Sequence, residues 1–326
     1  MYSIGIDMGG TKLAAGVVGA DGTILHKLSV PTGEPDATVI AAKTEELIFR
    51  LLTETGLDLS GVGVIGIGVP GTANQQTGMI EYANNLGMED VPFLELLRPY
   101  FKDTPMVLEN DANAAAYAEF LFGAGRGSRS MVMVTLGTGI GAGIIINGEL
   151  YEGVNYAAGE IGHTVIDTNG SPCSCGRRGC FECYASASAL CGQARDAMRA
   201  DRGSLLWELC HGDIALVDGM MFFDAVRRGD VTAMRVFERY TEHLAVGLSD
   251  VVNFLQPELI VIGGGISREG EFLLAPVREQ MEHLDYARTS RRRTVMRSAA
   301  LGNDAGIIGA AHLAKWRRER AGIHKS

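Results

Sequence analysis

Positive charge is scarce in this sequence. Its 326 residues carry 29 Lys and Arg against 39 Asp and Glu, a formal net charge of −10. A surface of this sign repels phosphate backbones, which argues against a general nucleic-acid binder or a protein that binds anionic membranes. Basic residues cluster only at 290–298 and 315–320. Both runs are short, and we interpret each as a solvated face or a basic helix end.

Long apolar segments are also missing. The first ten residues lack the basic region and the small-residue cleavage site of a signal peptide. The longest stretch without charge, 131–148, is interrupted by Gly137, Gly139, Gly141 and Gly143. This pattern favours two buried strands joined by a tight turn over a membrane helix. We therefore expect a cytoplasmic globular protein, with a chain long enough for about two domains.

Cysteine is rare but concentrated. Four of the six cysteines lie within eleven residues, from Cys173 to Cys183, and His163 precedes them. In a reducing cytoplasm such a cluster more often means a metal site or catalysis than disulfides. His163 with Cys173, Cys175 and Cys180 makes one tetrahedral zinc set, and Cys183 is a rival for the fourth position. A full shell of four protein ligands would make the zinc structural, and buried thiols without metal are the alternative.

The chain divides into two halves that begin alike. From residue 2 we predict three strands, then alternating helices and strands; a glycine-rich linker at 123–130 precedes a second pair of strands. "GTKLAAG" from Gly10 and "GTGIGAG" from Gly137 are 127 residues apart and match at four positions. An internal duplication of an α/β unit explains the match and predicts two related lobes with a cleft between them.

Three segments have the period of an α-helix. They are 36–56, which Gly56 would end, 232–256, and a segment near 303–320. The segment "GTANQQTG", which follows a predicted strand at 62–69, is rich in Asn, Gln and Gly and is predicted to be a loop.

Two glycine motifs imitate nucleotide-binding loops but lack the context of such loops. In "GIDMGGTK" Thr11 and Lys12 stand in the wrong order for a P-loop, and a strand follows instead of a helix. "GIGVPG" at 66–71 fits the dinucleotide pattern, yet a loop follows it. We instead interpret Gly9–Lys12 and Gly137–Gly139 as turns whose backbone N–H groups cradle phosphates. Asp7 would then face magnesium, and Lys12 a phosphate. Ordinary hairpin turns are the alternative.

The segment "LENDANAAA" places Asn110 and Asp111 where a predicted strand meets a helix. Asn and Asp are favoured helix N-caps. A carboxylate at the carboxyl end of a sheet strand is equally suited to orient an alcohol for phosphoryl transfer and to accept its proton. The residues alone leave both interpretations open. Glu160 and Glu182 flank the cysteine cluster, where they could accept hydrogen bonds from vicinal hydroxyls or be exposed loop glutamates.

Four motifs occur in this order along the chain: "DMGGTK", "ENDANAAA", "LGTGIGAGIIINGELYEGVNYAAGEIGH" and "CSCGRRGCFE". In these motifs the chain resembles the ROK family of sugar kinases in the hexokinase–actin superfamily, most closely its bacterial glucokinases. The resemblance covers nearly the whole chain. It implies a two-lobed actin-like, ribonuclease H-like duplicated α/β fold. We expect 1–118 with a C-terminal helix 304–326 to form a small lobe, and 119–303 a large lobe.

The resemblance implies a role for each motif. Asp111 would be the catalytic base that accepts the proton of the attacking hydroxyl. The sugar would be bound by Gly71, Asn84, Asn110, Asp111, Glu160, His163 and Glu182. ATP would contact Asp7, Gly9, Gly10, Thr11, Lys12, Gly137, Thr138, Gly139, Gly264 and Gly265. Structural zinc would be held by His163, Cys173, Cys175 and Cys180, with one ring nitrogen of His163 on the metal and the other on the sugar.

The reaction implied is transfer of the γ-phosphate of Mg-ATP to the 6-hydroxyl of glucose, a step of carbohydrate metabolism in glycolysis. N-acetylmannosamine, N-acetylglucosamine, mannose, fructose or allose is the alternative acceptor, and polyphosphate the alternative donor. We expect a homodimer or homotetramer without nucleic-acid or membrane partners. A non-catalytic, sugar-sensing ROK protein is a less favoured alternative, because such repressors carry a DNA-binding domain ahead of the sugar-binding half, whereas the first strand here begins at about residue 2.

Overall fold

The computed structural model describes residues 1–323, which contain the mixture of strands and helices that the sequence predicts. These residues form two units. The first contains Met1–Met133, Gly143–Gly159 and the chain from Ala299; the second contains Val134–Ala142 and Glu160–Ser298. The lobe boundaries expected from the sequence stay a prediction. The last three residues of the expected helix 304–326 lie outside the described residues.

Strands and helices follow one another along the whole described chain. The strands are β1 (Tyr2–Met8), β2 (Lys12–Val18), β3 (Ile24–Pro31), β4 (Val62–Val69), β5 (Thr72–Asn74), β6 (Met79–Ala83), β7 (Met88–Val91), β8 (Met106–Asn110), β9 (Met131–Leu136), β10 (Ile140–Ile146), β11 (Glu149–Tyr151), β12 (Leu259–Gly263) and β13 (Val295–Ser298). The α-helices are α1 (Ala37–Thr55), α2 (Phe93–Leu97), α3 (Asp111–Phe122), α4 (Glu182–Ala185), α5 (Ala187–Ala200), α6 (Leu206–Leu209), α7 (Gly219–Arg227), α8 (Val231–Leu255), α9 (Glu271–Leu284) and α10 (Ala305–Ile323).

The first unit is built on a sheet of order β3-β2-β1-β4-β8. β1 is antiparallel to β2 and parallel to β4, which is parallel to β8. Helix α10 packs directly on this sheet: Gly5 lies opposite Gly66, and a Cβ on either would overlap the backbone of α10 at Ile307 or Ala310. Glycine inside a strand often marks such a close approach of another backbone. The C-terminal helix is therefore part of the core of the first unit.

A second sheet has the order β11-β10-β9-β12-β13. β10 is antiparallel to β11, and β12 is parallel to β13. The strand order repeats that of the first sheet, in agreement with the predicted duplication. Residues 131–148 contain β9, a turn and β10, as their glycines predict. Among residues 1–323, no helix is long and apolar enough to cross a membrane.

Three helices agree closely with the sequence prediction. α1 begins after Asp36, whose side chain accepts a hydrogen bond from the backbone N–H of Val39. It ends at Gly56, which has φ of 66°, a left-handed conformation that glycine adopts without strain. α8 and α10 begin within two residues of the starts expected for the second and third helical segments.

The predicted loop at 71–78 contains the strand β5 followed by a turn, and β5 pairs in a small antiparallel sheet of order β5-β6-β7. Its strands contain three, five and four residues. Runs this short hold too few side chains for an alternating pattern to be recognised. The chain turns after β5 at Gly78 and after β6 at Gly87, both of which have positive φ. Gly71 and Asn84, both expected to bind sugar, thus lie next to the hydrogen-bonded strands β5 and β6.

Candidate functional site

Polar residues lie at the carboxyl ends of the parallel strands in the first unit. Asn110 ends β8, and Gly71 follows β4. The side-chain amide of Asn110 donates a hydrogen bond of 2.9 Å to the Gly71 carbonyl. Asp7, near the end of β1, belongs to the same edge because β1, β4 and β8 run parallel. Ligands of α/β sheets usually bind at this edge.

The helix N-cap, one of the two roles that the sequence left open for Asn110 and Asp111, belongs to Asn110. Asn110 is the N-cap of α3, since its side-chain oxygen accepts a hydrogen bond of 3.0 Å from the N–H of Asn113. Asp111 is the first residue of the helix and is half-buried. Its Oδ1 accepts a hydrogen bond of 2.7 Å from the N–H of Ala112. The positive end of the helix dipole favours the ionised form of this carboxylate.

A buried charge network lies directly before this pair, and the sequence did not predict it. Glu109 is wholly buried. Its Oε1 accepts a hydrogen bond from the N–H of Asn110 at 2.9 Å, and its Oε2 accepts from Arg317 at 2.5 Å and from Gln75 at 2.9 Å. Arg317 and Gln75 also donate to Glu152. Burial raises the pKa of Glu109, while the Arg317 guanidinium lowers it in part.

The first phosphate turn, Gly9–Lys12, joins β1 to β2 and is held by neighbouring segments. The hydroxyl of Thr32 donates a hydrogen bond of 2.6 Å to the Gly9 carbonyl. A Cβ on Gly10 would lie 3.2 Å from the Cβ of Asn85. Asn85 belongs to the 3-10 helix Asn84–Leu86, which contains an expected sugar-binding residue. Within the first unit, one expected phosphate loop therefore touches one expected sugar loop.

Asp7 precedes the first phosphate turn and faces the start of α10. A Cβ on Gly306 would come within 2.8 Å of the Asp7 carboxyl carbon, so only glycine fits there without a shift. Burial raises the pKa of Asp7, and Lys12 partly offsets this effect. A hard oxygen ligand of this kind suits magnesium, bound directly or through water.

The turn Gly137–Gly139, the second turn expected to bind phosphate, joins β9 to β10 in the second unit and includes Thr138. It is closed by a hydrogen bond of 3.0 Å from Gly137 N–H to the Gly139 carbonyl. Glu182 Oε2 accepts a hydrogen bond of 2.9 Å from the N–H of Ile140. A Cβ on Gly139 would overlap the Glu182 carboxylate. Glu182, expected to bind sugar, thus contacts the turn expected to bind phosphate.

The expected adenosine loop lies against the end of β9. Gly264 follows β12 with φ of 84°, and a Cβ on it would overlap the backbone of Leu136. The hydroxyl of Ser267 donates a hydrogen bond of 2.7 Å to the Gly264 carbonyl. For Gly265, by contrast, a Cβ would meet nothing within 4 Å. The glycine at 264 is required by both its conformation and its neighbour.

Four side chains of the second unit converge on one point. The ligand atoms of His163, Cys173, Cys175 and Cys180 all lie within 4.8 Å of one another. His163 Nδ1 is 3.6 Å from the Cys173 sulfur, and the sulfurs of Cys175 and Cys180 are also 3.6 Å apart. Tetrahedral zinc, with bonds of about 2.3 Å to sulfur and about 2.0 Å to nitrogen, separates its ligand atoms by about 3.5–3.8 Å. The group therefore fits zinc.

Other contacts of the cluster agree with this set of four. The rival ligand, Cys183, has its thiol 3.5 Å from the Pro172 carbonyl and is not in the converging group. A hydrogen bond from Arg177 lowers the pKa of Cys175 to about 6, whereas burial raises that of Cys180 to about 12. A coordinated metal deprotonates such a thiol. All six cysteines are free thiols rather than disulfides.

His163 joins the cysteine cluster to Glu160. Its Nδ1 faces Cys173, and its Nε2 lies 4.0 Å from Glu160 Oε2. The two ring nitrogens therefore face different partners, Cys173 and Glu160, and their expected roles toward zinc and sugar stay a prediction. Burial raises the pKa of Glu160; His163 lowers it, and Glu182 raises it further. Two acidic groups and an imidazole thus lie together on the second unit.

The model of the ROK family matches residues 3–317, and the chain belongs to this family. The glucokinase of Thermotoga maritima is 37% identical over 319 residues, covering 96% of this chain and 97% of that protein. The glucokinase of Halalkalibacterium halodurans is 36% identical over 316 residues, covering 96% and 95%. A ROK family glucokinase from Streptomyces griseus, crystallised with glucose and AMPPNP, matches with a TM-score of 0.86 and 35% identity, covering 97% of this chain and 100% of that chain. The expected actin-like α/β fold is confirmed.

Several residues that hold these loops were missed by sequence reasoning. They are Thr32, Asn85, Glu109 and Arg317. For Glu109 a signal was present, since a glutamate stands between the apolar run "MVL" and the "ND" pair, where a buried acid requires a cation. Nothing local marks its partner, which lies 208 residues away.

Proposed function

We propose that the chain is an ATP-dependent sugar kinase that phosphorylates the 6-hydroxyl of glucose. Glucokinases of 36–37% identity over nearly their whole length support the hexose kinase class. The observation that carries the proposal is Asp111, a half-buried carboxylate that follows a parallel strand, beside an asparagine that caps the helix and contacts Gly71. A hydroxyl acceptor needs such a group.

Asp111 acts as the general base. Phosphoryl transfer has a loose transition state, so the hydroxyl proton leaves late and a weak base suffices when it is well placed. The N-cap hydrogen bond of Asn110 fixes the backbone that carries Asp111. Asn110, Gly71 and Asn84 contribute sugar contacts from the first unit.

Glu160, His163 and Glu182 contribute sugar contacts from the second unit. The carboxylates of Glu160 and Glu182 accept hydrogen bonds from ring hydroxyls, and the Nε2 of His163 donates to or accepts from a hydroxyl. Zinc, when bound by His163 and the three cysteines, supplies a fixed point for the loop and has no open position for chemistry. Such a metal would orient His163 through Nδ1, the ring nitrogen that lies 3.6 Å from the Cys173 sulfur.

Nucleotide phosphates bind at the two phosphate turns. The glycines of each turn offer backbone N–H groups to phosphate, and Lys12 adds a positive charge. Magnesium, when bound with ATP, neutralises charge on the β- and γ-phosphates, and Asp7 is the carboxylate suited to hold it. Gly265, where a Cβ would meet nothing within 4 Å, leaves room for the adenosine, and Gly264 allows the loop to lie against the backbone of Leu136.

The first test is an ADP-release assay with Mg-ATP across glucose, mannose, fructose, allose, N-acetylglucosamine and N-acetylmannosamine. Asp111→Asn is run beside the wild type, with circular dichroism and zinc content as controls for folding. We expect glucose to have the highest kcat/KM and Asp111→Asn to lower kcat by at least about a hundredfold, the usual contribution of a general base.

Each other outcome has a defined meaning. A higher kcat/KM for another hexose would keep the kinase mechanism and change the acceptor. Activity with polyphosphate in place of ATP would change the donor. A folded protein that releases no ADP with any sugar, yet binds one of them, would overturn the kinase proposal in favour of a sugar sensor.

A further inference from the structure

The second phosphate turn is anchored at both ends by the segment that follows Cys180. Glu182 Oε2 accepts a hydrogen bond of 2.9 Å from the N–H of Ile140. Ala187 donates a hydrogen bond of 2.8 Å from its N–H to the carbonyl of Gly137. Between these anchors lies Gly139, where a Cβ would overlap the Glu182 carboxylate. The turn and the carboxylate therefore occupy their places together.

Glu182 is itself held in place. Phe181, immediately before it, is wholly buried, and its N–H donates a hydrogen bond of 2.8 Å to the Thr164 carbonyl. The ring of Phe181 packs on α8 at Gly247, where a Cβ would overlap it. After Glu182, the Ala185 carbonyl accepts a hydrogen bond of 2.9 Å from the buried hydroxyl of Tyr240. The backbone that carries Glu182 therefore cannot move without displacing this packed segment.

The N–H of Ile140 depends on Glu182. Ile140 is 4% exposed, so its backbone has little access to water. A buried donor that loses its acceptor is destabilised by its full desolvation penalty, and the chain relieves this by moving. Removal of the carboxylate therefore changes the shape of the turn as well as one hydrogen bond.

We propose that Glu182 is a positioning residue for the nucleotide site, because its carboxylate sets the conformation of the second phosphate turn. This inference rests on the proposed kinase function and adds to the sugar contact expected of the same residue. Since Cys180 lies two residues before Glu182, the cysteine cluster then determines the geometry of the phosphate site as well as that of the sugar site.

The test separates the two roles by measuring nucleotide binding without sugar. Isothermal titration calorimetry with Mg-AMPPNP is run on wild type, Glu182→Ala, Glu182→Gln and Glu160→Ala. We expect Glu182→Ala to raise Kd about tenfold or more, because it removes a charged acceptor. Glu182→Gln keeps an acceptor oxygen of the same reach, and its Kd should stay within about twofold to threefold of wild type. Glu160→Ala should weaken glucose binding without changing the nucleotide Kd.

Hydrogen exchange gives a second measurement that requires no nucleotide. We expect the peptide containing Ile140 to exchange faster in Glu182→Ala and at the wild-type rate in Glu182→Gln and Glu160→Ala. An unchanged nucleotide Kd together with unchanged exchange in Glu182→Ala would overturn the positioning role. If the wild type binds no nucleotide, the proposed function fails, and the exchange of Ile140 still decides whether Glu182 holds the turn.

Discussion

Removal of Arg317 from its buried pair with Glu109 is expected to cause a large loss of stability in the first unit. Arg317→Met removes the guanidinium and keeps much of the side-chain volume. Glu109, with 3% of its side chain exposed, and Glu152, with 16% exposed, are then left without a cation. Breaking a buried ion pair by removing one partner costs about 3–5 kcal/mol. We expect a loss of this size in the free energy of unfolding.

Urea denaturation at neutral pH, followed by circular dichroism, measures this loss. Arg320→Met is the matched control, since Arg320 lies on the same helix and pairs with Glu149 at a solvent-exposed site. Exposed pairs contribute at most about 1 kcal/mol. Glu109→Gln combined with Arg317→Met should recover part of the loss, because it removes the unpaired charge. If Arg317→Met loses no more stability than Arg320→Met, the network is not a buried ion pair in solution.

The stability loss of Arg317→Met is expected to depend on pH through the titration of Glu109. Burial raises the folded-state pKa of Glu109 above its ordinary value of 4.5, and loss of Arg317 would raise it further. A carboxyl whose pKa is raised by folding contributes stability that is present below its unfolded pKa and is lost as pH rises through the folded pKa. The loss in free energy of unfolding of Arg317→Met relative to wild type should therefore be smaller at about pH 5 than at about pH 8. If this loss in free energy of unfolding grew on acidification, the raised pKa assigned to Glu109 would be contradicted.

Two further predictions concern the cysteine cluster and the packing of α10. Cys180→Ser should lower bound zinc, measured by elemental mass spectrometry, well below one ion per chain, whereas Cys183→Ser should leave it unchanged; equal zinc loss in both variants would mean that Cys183 is a ligand. Gly66→Ala should lower the free energy of unfolding by about 1–3 kcal/mol through overpacking against α10. Gly61→Ala is its control, since a Cβ there meets nothing within 4 Å.

Much of the local structure could be predicted from the sequence because the signals are short-range. α1 runs between the two caps that Asp36 and Gly56 predict. The glycines of 131–148 separate β9 from β10. The motif order identified the family, because several motifs in sequence are far more specific than any one of them. The cap and turn signals each lie within about one helix or one hairpin of the chain, whereas the motif order extends over most of it.

The tertiary structure decided which distant residues meet. Arg317, rather than a nearby residue, neutralises Glu109, and Glu182 reaches the N–H of Ile140 across 42 positions. The short strands β5 to β7 form a sheet because each gains hydrogen bonds from its neighbours, although none has a recognisable pattern alone. Contacts of this kind depend on burial, which requires polar groups to find partners in three dimensions. The kinds of side chain expected in the candidate site could be predicted from the sequence, whereas the distant residues that hydrogen-bond to them could be identified only from the tertiary structure.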